Sequence, residues 1–240
     1  MAWAAAKRFY DASGVEATEG GFAVTLDNRQ VNTQGGVPLI LPCQGLAAAV
    51  AAEWSAQTET IRPDTMPTTG FCCTTLDTVA DARQSIIDQL VKYGGHDQLC
   101  YRTAEPEDLA DLQQAQWQPI LDWAAETLDA HLVVTVGINS VEQPGPALEK
   151  LRNAVEVLDD FHLTALASLT QAAGSLVIGL AVLNGRLDPQ SAFEISQLDE
   201  IWQSKKWGLD SDTEKRLGLV RGEMRDAARF LDLVRGDEAS

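Results

Sequence analysis

The sequence has few of the residues from which catalytic and metal sites are usually built. It contains three histidines, and none has a Cys, a Ser or a second His at a spacing that forms a triad or a metal site. It has no G-x-S-x-G, no H-E-x-x-H and no glycine-rich phosphate loop. We therefore expect no catalytic residue, no bound metal and no cofactor.

Cysteines are also few, and their spacing is wrong for zinc. The four of them (Cys43, Cys72, Cys73 and Cys100) form no C-x-x-C pair and have no nearby His. Two are adjacent, which is an awkward geometry for a mutual disulfide. We expect reduced, mostly buried thiols in a reducing compartment.

Basic residues are scarce relative to acidic ones. The chain has 18 Lys and Arg against 35 Asp and Glu, a net charge of −17. Because phosphate binding needs clustered cations, this balance argues against a nucleic-acid partner, and an anionic membrane would repel the chain. The negative charge would favour association with a basic surface of another protein. An acidic surface that only faces solvent explains the charge equally well.

No apolar stretch resembles a membrane span. The most apolar segment, residues 163–183, contains several polar side chains and a break at Gly174, which is typical of a buried helix pair. We therefore expect no membrane insertion. Residues 1–10 lack both a secretory signal and a long Arg- and Ser-rich mitochondrial leader. This favours a bacterial cytoplasmic protein over the mature form of a mitochondrial matrix protein.

The first part of the chain predicts a small β-rich domain with one helix, over residues 1–66. Asp27-Asn28 predicts a tight turn between strands. Alanine-rich residues 46–57 predict a helix, and Trp54 lies on its apolar stripe. We expect Trp54 to be structural, filling the space between helix and sheet. The predicted strands are residues 22–26, 30–33 and 37–41.

After a proline-bounded connector at 62–67, the remaining residues 67–240 predict a larger all-helical domain, so the fold class is α+β. Pro119 should bend or split its helix. Asp188 should cap a helix that ends at Gly208, and Ser211 should open a capping box. The predicted helices are residues 76–95, 106–128, 146–159, the pair within 163–183, 188–207 and 211–236.

An acidic pair and two tryptophans close one of these helices. If it continues to Trp207, then Glu200, Gln203 and Trp207 fall on one edge, while Trp202 joins the buried stripe. An acid beside an amide and an indole is typical of a binding surface. Alternatively, Glu200 pairs with Lys205 or with an arginine of a neighbouring helix in a surface salt bridge.

Three further residues are predicted to be structural. Trp117 is expected in the core because it lies on the apolar stripe of its helix. Asp97 and Arg102 bracket a short apolar segment and are expected to form an internal charge-assisted pair.

Several ordered motifs from Arg8 to Leu233 together resemble one known family. They are Arg8-Phe-Tyr10, Leu26-Asp-Asn-Arg-Gln-Val31, Ala52-Glu-Trp-Ser-Ala-Gln57, Ile61-x-Pro-x-Thr-Met-Pro67, Asp97-x-Leu-Cys-Tyr-Arg102, Gln113-x-x-x-Trp-Gln-Pro119, Asp122-Trp123, Gly174-Ser175, Leu198-Asp-Glu-x-Trp-Gln203 and Trp207-Gly208. The chain resembles the assembly chaperones of the F1 sector of ATP synthase, which bind the free α subunit. It departs from the family pattern at Asn28, Gln30 and Gln118.

The resemblance implies a non-enzymatic chaperone whose partner is the F1 α subunit, held until the β subunit replaces it. By the family pattern the contact lies in the helical domain. Glu200 is its leading residue, and Asp199, Gln203, Trp207 and Gly208 support it.

Two other functions remain open from the sequence. An acidic hydrolase would use a carboxylate pair in a cleft, since acids are abundant. A stable structural subunit would remain in the finished F1 complex instead of leaving it.

Overall fold

The computed structural model of the protein describes residues 6–137, 139–208 and 210–236. Contacts divide the chain into two compact units. The first comprises Met1–Arg83, Asp160–Ala165 and Arg229–Ser240, and the second comprises Gln84–Asp159 and Leu166–Ala228. The α+β prediction is confirmed, with a small N-terminal strand region and a larger helical part. The boundary between residues 66 and 67 stays a prediction. Residues 1–5, which bear on the expected lack of a leader, lie outside the described residues.

The sheet of the first unit is antiparallel, and β2 lies at its centre. β2 pairs with β1 along its whole length and with β3 and β4 at its two ends. Asp27 and Asn28 both have positive φ (49° and 61°), as a tight turn of the hairpin type requires. The four strands are β1 (Ser13–Thr18), β2 (Gly21–Leu26), β3 (Arg29–Gln30) and β4 (Ile40–Leu41).

Helix α1 (Gln44–Ser55) packs on this sheet through its apolar stripe. Leu46 and Val50 are fully buried, and Trp54 is 1% exposed. The Tyr10 hydroxyl donates a hydrogen bond of 2.6 Å to the Trp54 carbonyl, and the two rings meet edge to face. The N-terminal segment is thereby fixed to the helix.

The remaining helices follow in chain order, and α2 is joined to α3 by a π-helical turn at Thr75–Val79. They are α2 (Pro67–Thr74), α3 (Ala80–Gly95), α4 (Glu107–Leu128), α5 (Gly145–Glu156), α6 (Asp160–Ala173), α7 (Leu176–Leu183), α8 (Pro189–Ser196), α9 (Leu198–Trp207) and α10 (Ser211–Arg235). Two short parallel strands, β5 (Tyr101–Arg102) and β6 (Thr135–Val136), pair in the second unit.

Three local expectations need correction. Helix α4 runs unbroken through Pro119, so the split does not occur, whereas a bend at the proline stays a prediction. The helix expected over residues 188–207 is interrupted at Gln197, where φ and ψ are −104° and 20°. Helix α10 is capped by the carboxylate of Asp210, which accepts from two backbone amides, and not by a Ser211 capping box.

The other landmarks lie where they were predicted. Asp188 caps α8 by accepting from the amides of Gln190 and Ser191. Gly174 separates α6 from α7 with φ of 67°, and all eight residues of α7 are buried. All four cysteines are buried and none forms a disulfide, as expected. Across residues 6–137, 139–208 and 210–236, no helix has both the length and the apolar character needed to cross a bilayer.

Asp97 is a fully buried carboxylate in the second unit. It accepts hydrogen bonds from the amide of Leu99 (3.1 Å), the hydroxyl of Ser175 (2.9 Å) and the amide of Val177 (3.1 Å). Burial raises the pKa of Asp97 to about 6, and these hydrogen bonds oppose the rise. Asp97 therefore satisfies amide donors at the start of α7.

The expected pair between Asp97 and Arg102 does not form, because each side chain serves another partner. Arg102 donates to the backbone carbonyl of Gln113 at 2.6 Å, and its guanidinium lies 5.1 Å from the centroid of the Trp117 ring. Burial lowers the pKa of Arg102.

We predict that Asp97 makes stability depend on pH between about 4 and 6. In this range the folded state binds more protons than the unfolded chain, whose Asp pKa is about 3.9, so stability falls as pH rises. The quantity to compare is the unfolding free energy of the wild-type protein minus that of Asp97→Asn. Between pH 4 and 6 this difference should fall by roughly 2–3 kcal/mol. Urea unfolding at several pH values measures this difference. A difference that stays constant with pH would contradict the prediction.

Candidate partner-binding site

Helix α9 carries the acidic pair and both tryptophans singled out in the sequence. Asp199 and Glu200 lie in its first turn, and Lys205 and Lys206 lie in its last turn, so the charges match the helix dipole. The helix has only ten residues, and an isolated helix of this length is marginal in water. Its position must therefore be fixed by neighbouring elements.

The junction between α8 and α9 is held by side chains from two other segments. The indole of Trp117, on α4, donates to the carbonyl of Ile195 at 2.9 Å. The amide of Gln98 donates to the carbonyl of Ser196 at 3.0 Å. Both acceptors are carbonyls at the end of α8, where a helix leaves such groups without intrahelical partners. These two bonds stabilise the break at Gln197.

A buried glutamine then anchors the start of α9. Gln113 is 1% exposed, and its side-chain amide donates to the carboxylate of Asp199 at 2.8 Å. Its side-chain oxygen accepts from the amide of Thr103 at 2.8 Å, and its backbone carbonyl accepts from Arg102. Gln113 therefore connects α9, α4 and the strand β5.

Glu200 lies beside this anchor and forms an ion pair with Arg216 of α10. Both side chains are somewhat less than half exposed. The same arginine donates to the side-chain oxygen of Gln197 at 3.3 Å. The salt-bridge alternative with a neighbouring-helix arginine is therefore what the structure shows for the isolated chain. A partially exposed pair of this kind contributes about 1 kcal/mol or less and can exchange partners.

The far end of α9 presents an exposed indole. Trp207 is 73% exposed and meets Trp202 edge to face, with ring centroids 5.5 Å apart. Lys206 lies 4.3 Å from the centroid of the Trp202 ring and pairs with Asp108 of α4 at 2.7 Å. Trp202 is partly buried by these contacts, whereas Trp207 is available to a partner.

The acidic pair opens onto a cavity of about 450 Å³. It is lined by His96, Gln98, Tyr101, Trp117, Ser196, Gln197, Asp199 and Glu200. The described part of the chain contains no group of three His, Cys, Asp or Glu residues that could hold a metal ion. The cavity is thus bordered by amides, aromatic rings and two carboxylates, a set suited to polar contacts with a protein surface.

The five residues predicted to bind a partner all lie on α9 or directly after it. Gln203 and Gly208 are exposed, as is Trp207, and Gly208 has φ of 91° where the helix ends. Asp199 is held by Gln113, so it also positions the helix. Their contact with a partner stays a prediction.

The sequence reasoning missed the side chains that hold α9. Gln98 lies between Asp97 and Arg102, and Gln113 opens the Gln113-x-x-x-Trp-Gln-Pro119 motif, but the sequence gives neither glutamine a contact. The spacing of four between Gln113 and Trp117 places both on one face of α4, and this was an available signal. Nothing in the sequence pointed to Arg216 in particular.

We predict that Gln113→Leu destabilises the protein by roughly 1–3 kcal/mol, because it leaves the Thr103 amide and the Asp199 carboxylate without this partner. Gln114→Leu, at the exposed neighbouring position, should change stability by less than about 0.5 kcal/mol. Urea unfolding compares the two. In a double-mutant cycle with Asp199→Ala, a coupling energy near zero would show that the contact carries no stability.

Comparisons with known proteins indicate the family of this chain. The model of the family described as ATP12 chaperone protein matches residues 7–125. A crystal structure of Atp12 from Paracoccus denitrificans is 42% identical, with a TM-score of 0.93 over 96% of this chain and 99% of that one. A candidate chaperone from Agrobacterium tumefaciens is 32% identical, with a TM-score of 0.89 over 95% and 85%.

A more distant relative is the mitochondrial protein Atp12 of Schizosaccharomyces pombe. It is 22% identical over 221 residues, which are 87% of this chain and 76% of that protein. The matching family model and the Agrobacterium tumefaciens relative are described as chaperones, and none of these relatives is described as an enzyme, so the hydrolase alternative is set aside. The chain belongs to the ATP12 family of chaperone proteins.

Proposed function

We propose that this chaperone binds the unassembled α subunit of the F1 sector and keeps it from aggregating until the β subunit replaces it. Membership in the ATP12 family makes it an assembly chaperone for ATP synthase. The choice of the α subunit follows the motif resemblance. The observation that carries the proposal is the convergence of Gln98, Gln113 and Trp117 on the junction that presents α9.

The free α subunit, which is the client of the chaperone in this proposal, needs protection from aggregation. A subunit that is normally covered by its neighbour exposes apolar surface when free, and large exposed patches aggregate. An interface of roughly 1,200–2,000 Å² would protect part of this surface and still be displaced by a larger native contact.

In this proposal the outer edge of α9 is the contact surface. Trp207 supplies the apolar anchor, because a highly exposed indole gains most from burial at an interface. Glu200 supplies the directional charge, since its pair with Arg216 is partly solvated and can be exchanged for a cation of the client. Gln203 and Gly208 border the two, and Asp199 keeps the helix in place through Gln113.

We propose that the chaperone acts where F1 is assembled, in the bacterial cytoplasm. The two bacterial structures are 42% and 32% identical to this chain, against 22% for the mitochondrial relative. A mature mitochondrial matrix protein is the alternative.

We predict that Trp207→Ala and Glu200→Gln each weaken binding of the free α subunit about tenfold or more, because an anchor or a charge partner is lost. Matched controls are Val157→Ala, at a position that is 82% exposed, and Glu126→Gln, an exposed glutamate on α4. Soluble α subunit in co-expression and pull-down measure the effect. If both site variants bind like their controls, the outer edge of α9 is not the contact.

We predict further that added β subunit releases the chaperone from its complex with α. The proposal takes the native α–β contact to be larger than the contact between α and the chaperone, so β should displace the chaperone. Size-exclusion chromatography of the complex before and after addition of β measures release. Retention of this chain in stoichiometric amounts in finished F1 would contradict transient binding and would favour a structural subunit.

A further inference from the structure

A second depression lies on the face of α9 opposite Glu200. Its volume is about 490 Å³, and residues of α4, α8, α9 and α10 line it. The lining residues are Leu112, Gln116, Phe193, Glu194, Leu198, Ile201, Trp202, Lys205 and Arg221. We call it the α9 groove. On a helix, Leu198, Ile201, Trp202 and Lys205 share one face, and Glu200, Gln203 and Trp207 share the other.

The floor of the α9 groove is apolar. Phe193 and Leu198 are buried in it, whereas Leu112, Ile201 and Trp202 remain partly exposed. These partly exposed side chains come from α4 and α9 and line one cavity. An apolar floor of this kind gains free energy when an apolar side chain fills it.

The rim of the groove carries cations in an otherwise acidic protein. Arg221 lies 4.5 Å above the centroid of the Phe193 ring. Within the part of the chain that the structure describes, neither Arg221 nor Lys205 forms an ion pair. The third charged residue, Glu194, accepts a hydrogen bond of 2.7 Å from Gln190. Two of three charges at the groove are therefore cations, although acids outnumber bases 35 to 18 in the chain.

We propose that the α9 groove binds an amphipathic segment of the client whose apolar side chains pack against the partly exposed Ile201 and Trp202 and whose carboxylate pairs with Lys205 and Arg221. The charge of the rim is complementary to an acidic segment and opposite to that of the chain as a whole. Apolar anchors in a groove with a charged rim are the usual means by which amphipathic helices are recognised. The identity of the client as the F1 α subunit rests on the proposed function.

Charge reversal tests the rim. The double variant Lys205→Glu, Arg221→Glu should bind the α subunit at least tenfold more weakly than wild type, because two attractive contacts become repulsive. Lys215→Glu is the matched control, since Lys215 is an exposed cation of α10 outside the groove, and it should bind within twofold of wild type. Urea unfolding shows whether each variant is folded. If the double variant is not folded, binding of the α subunit is measured with Lys205→Glu and with Arg221→Glu separately.

A photo-crosslinker in place of Lys205 then identifies the occupant. Mass spectrometry should place the crosslink in an acidic amphipathic segment of the α subunit. Replacing the acid of that segment by Lys should restore binding to the charge-reversed chaperone.

Two negative results are distinguishable. If wild type binds α and charge reversal has no effect, or the crosslink falls in a segment without acids, the groove proposal is wrong and the proposed function stands. If wild type does not bind α, both are wrong.

Discussion

The hydrogen bonds that hold the junction of α8 and α9 are the interaction on which the candidate site depends. Trp117 and Gln98 satisfy the last carbonyls of α8, and Gln113 holds the first turn of α9 through Asp199. Without these hydrogen bonds, few contacts would hold a ten-residue helix with a polar outer edge in one orientation. Because Gln113 and Trp117 are buried on α4, the orientation of α9 is set by the core.

This anchor explains why an acidic pair at a helix start has two separate roles. Asp199 points to the buried amide of Gln113 and contributes to positioning, whereas Glu200 shares a partly solvated pair with Arg216. The two carboxylates are adjacent in sequence but differ in surroundings. A partner that offers a cation can compete for Glu200 at small cost, since a partially exposed pair is weak. Competing for Asp199 would break a hydrogen bond to a buried group, which is more costly.

Much of the fold was predictable because local signals are strong where the backbone is constrained. Asp27-Asn28, Gly174 and Asp188 each fix a turn, a break or a cap through their own conformation or side chain, and each lies where it was expected. The break at Gln197 was not predictable in this way. It has no Gly or Pro, and side chains distant in sequence, Gln98 and Trp117, stabilise it.

The same distinction applies to the candidate site. Its outer edge follows from helical spacing alone, since Glu200, Gln203 and Trp207 recur at three and four residues. The anchor and the α9 groove arise from α4, α8 and α10, and a single sequence does not show which side chains of different helices meet. The prediction of an Asp97–Arg102 pair was wrong for this reason. Asp97 accepts from an amide at the start of α7, and Arg102 donates to the carbonyl of Gln113.

The placement of α9 also bears on how a chaperone can bind tightly enough to protect a client and still release it. One face of the helix carries an exposed indole and an exchangeable charge, and the other borders an apolar groove with two cations. Charged rims raise the rate of encounter, whereas apolar anchors slow dissociation. In the proposed complex each contact is modest by itself, so affinity would come from occupying both faces together. When a native partner displaces one of the two contacts, the other contact no longer benefits from the first and becomes weaker. Stepwise release is then possible without a source of energy.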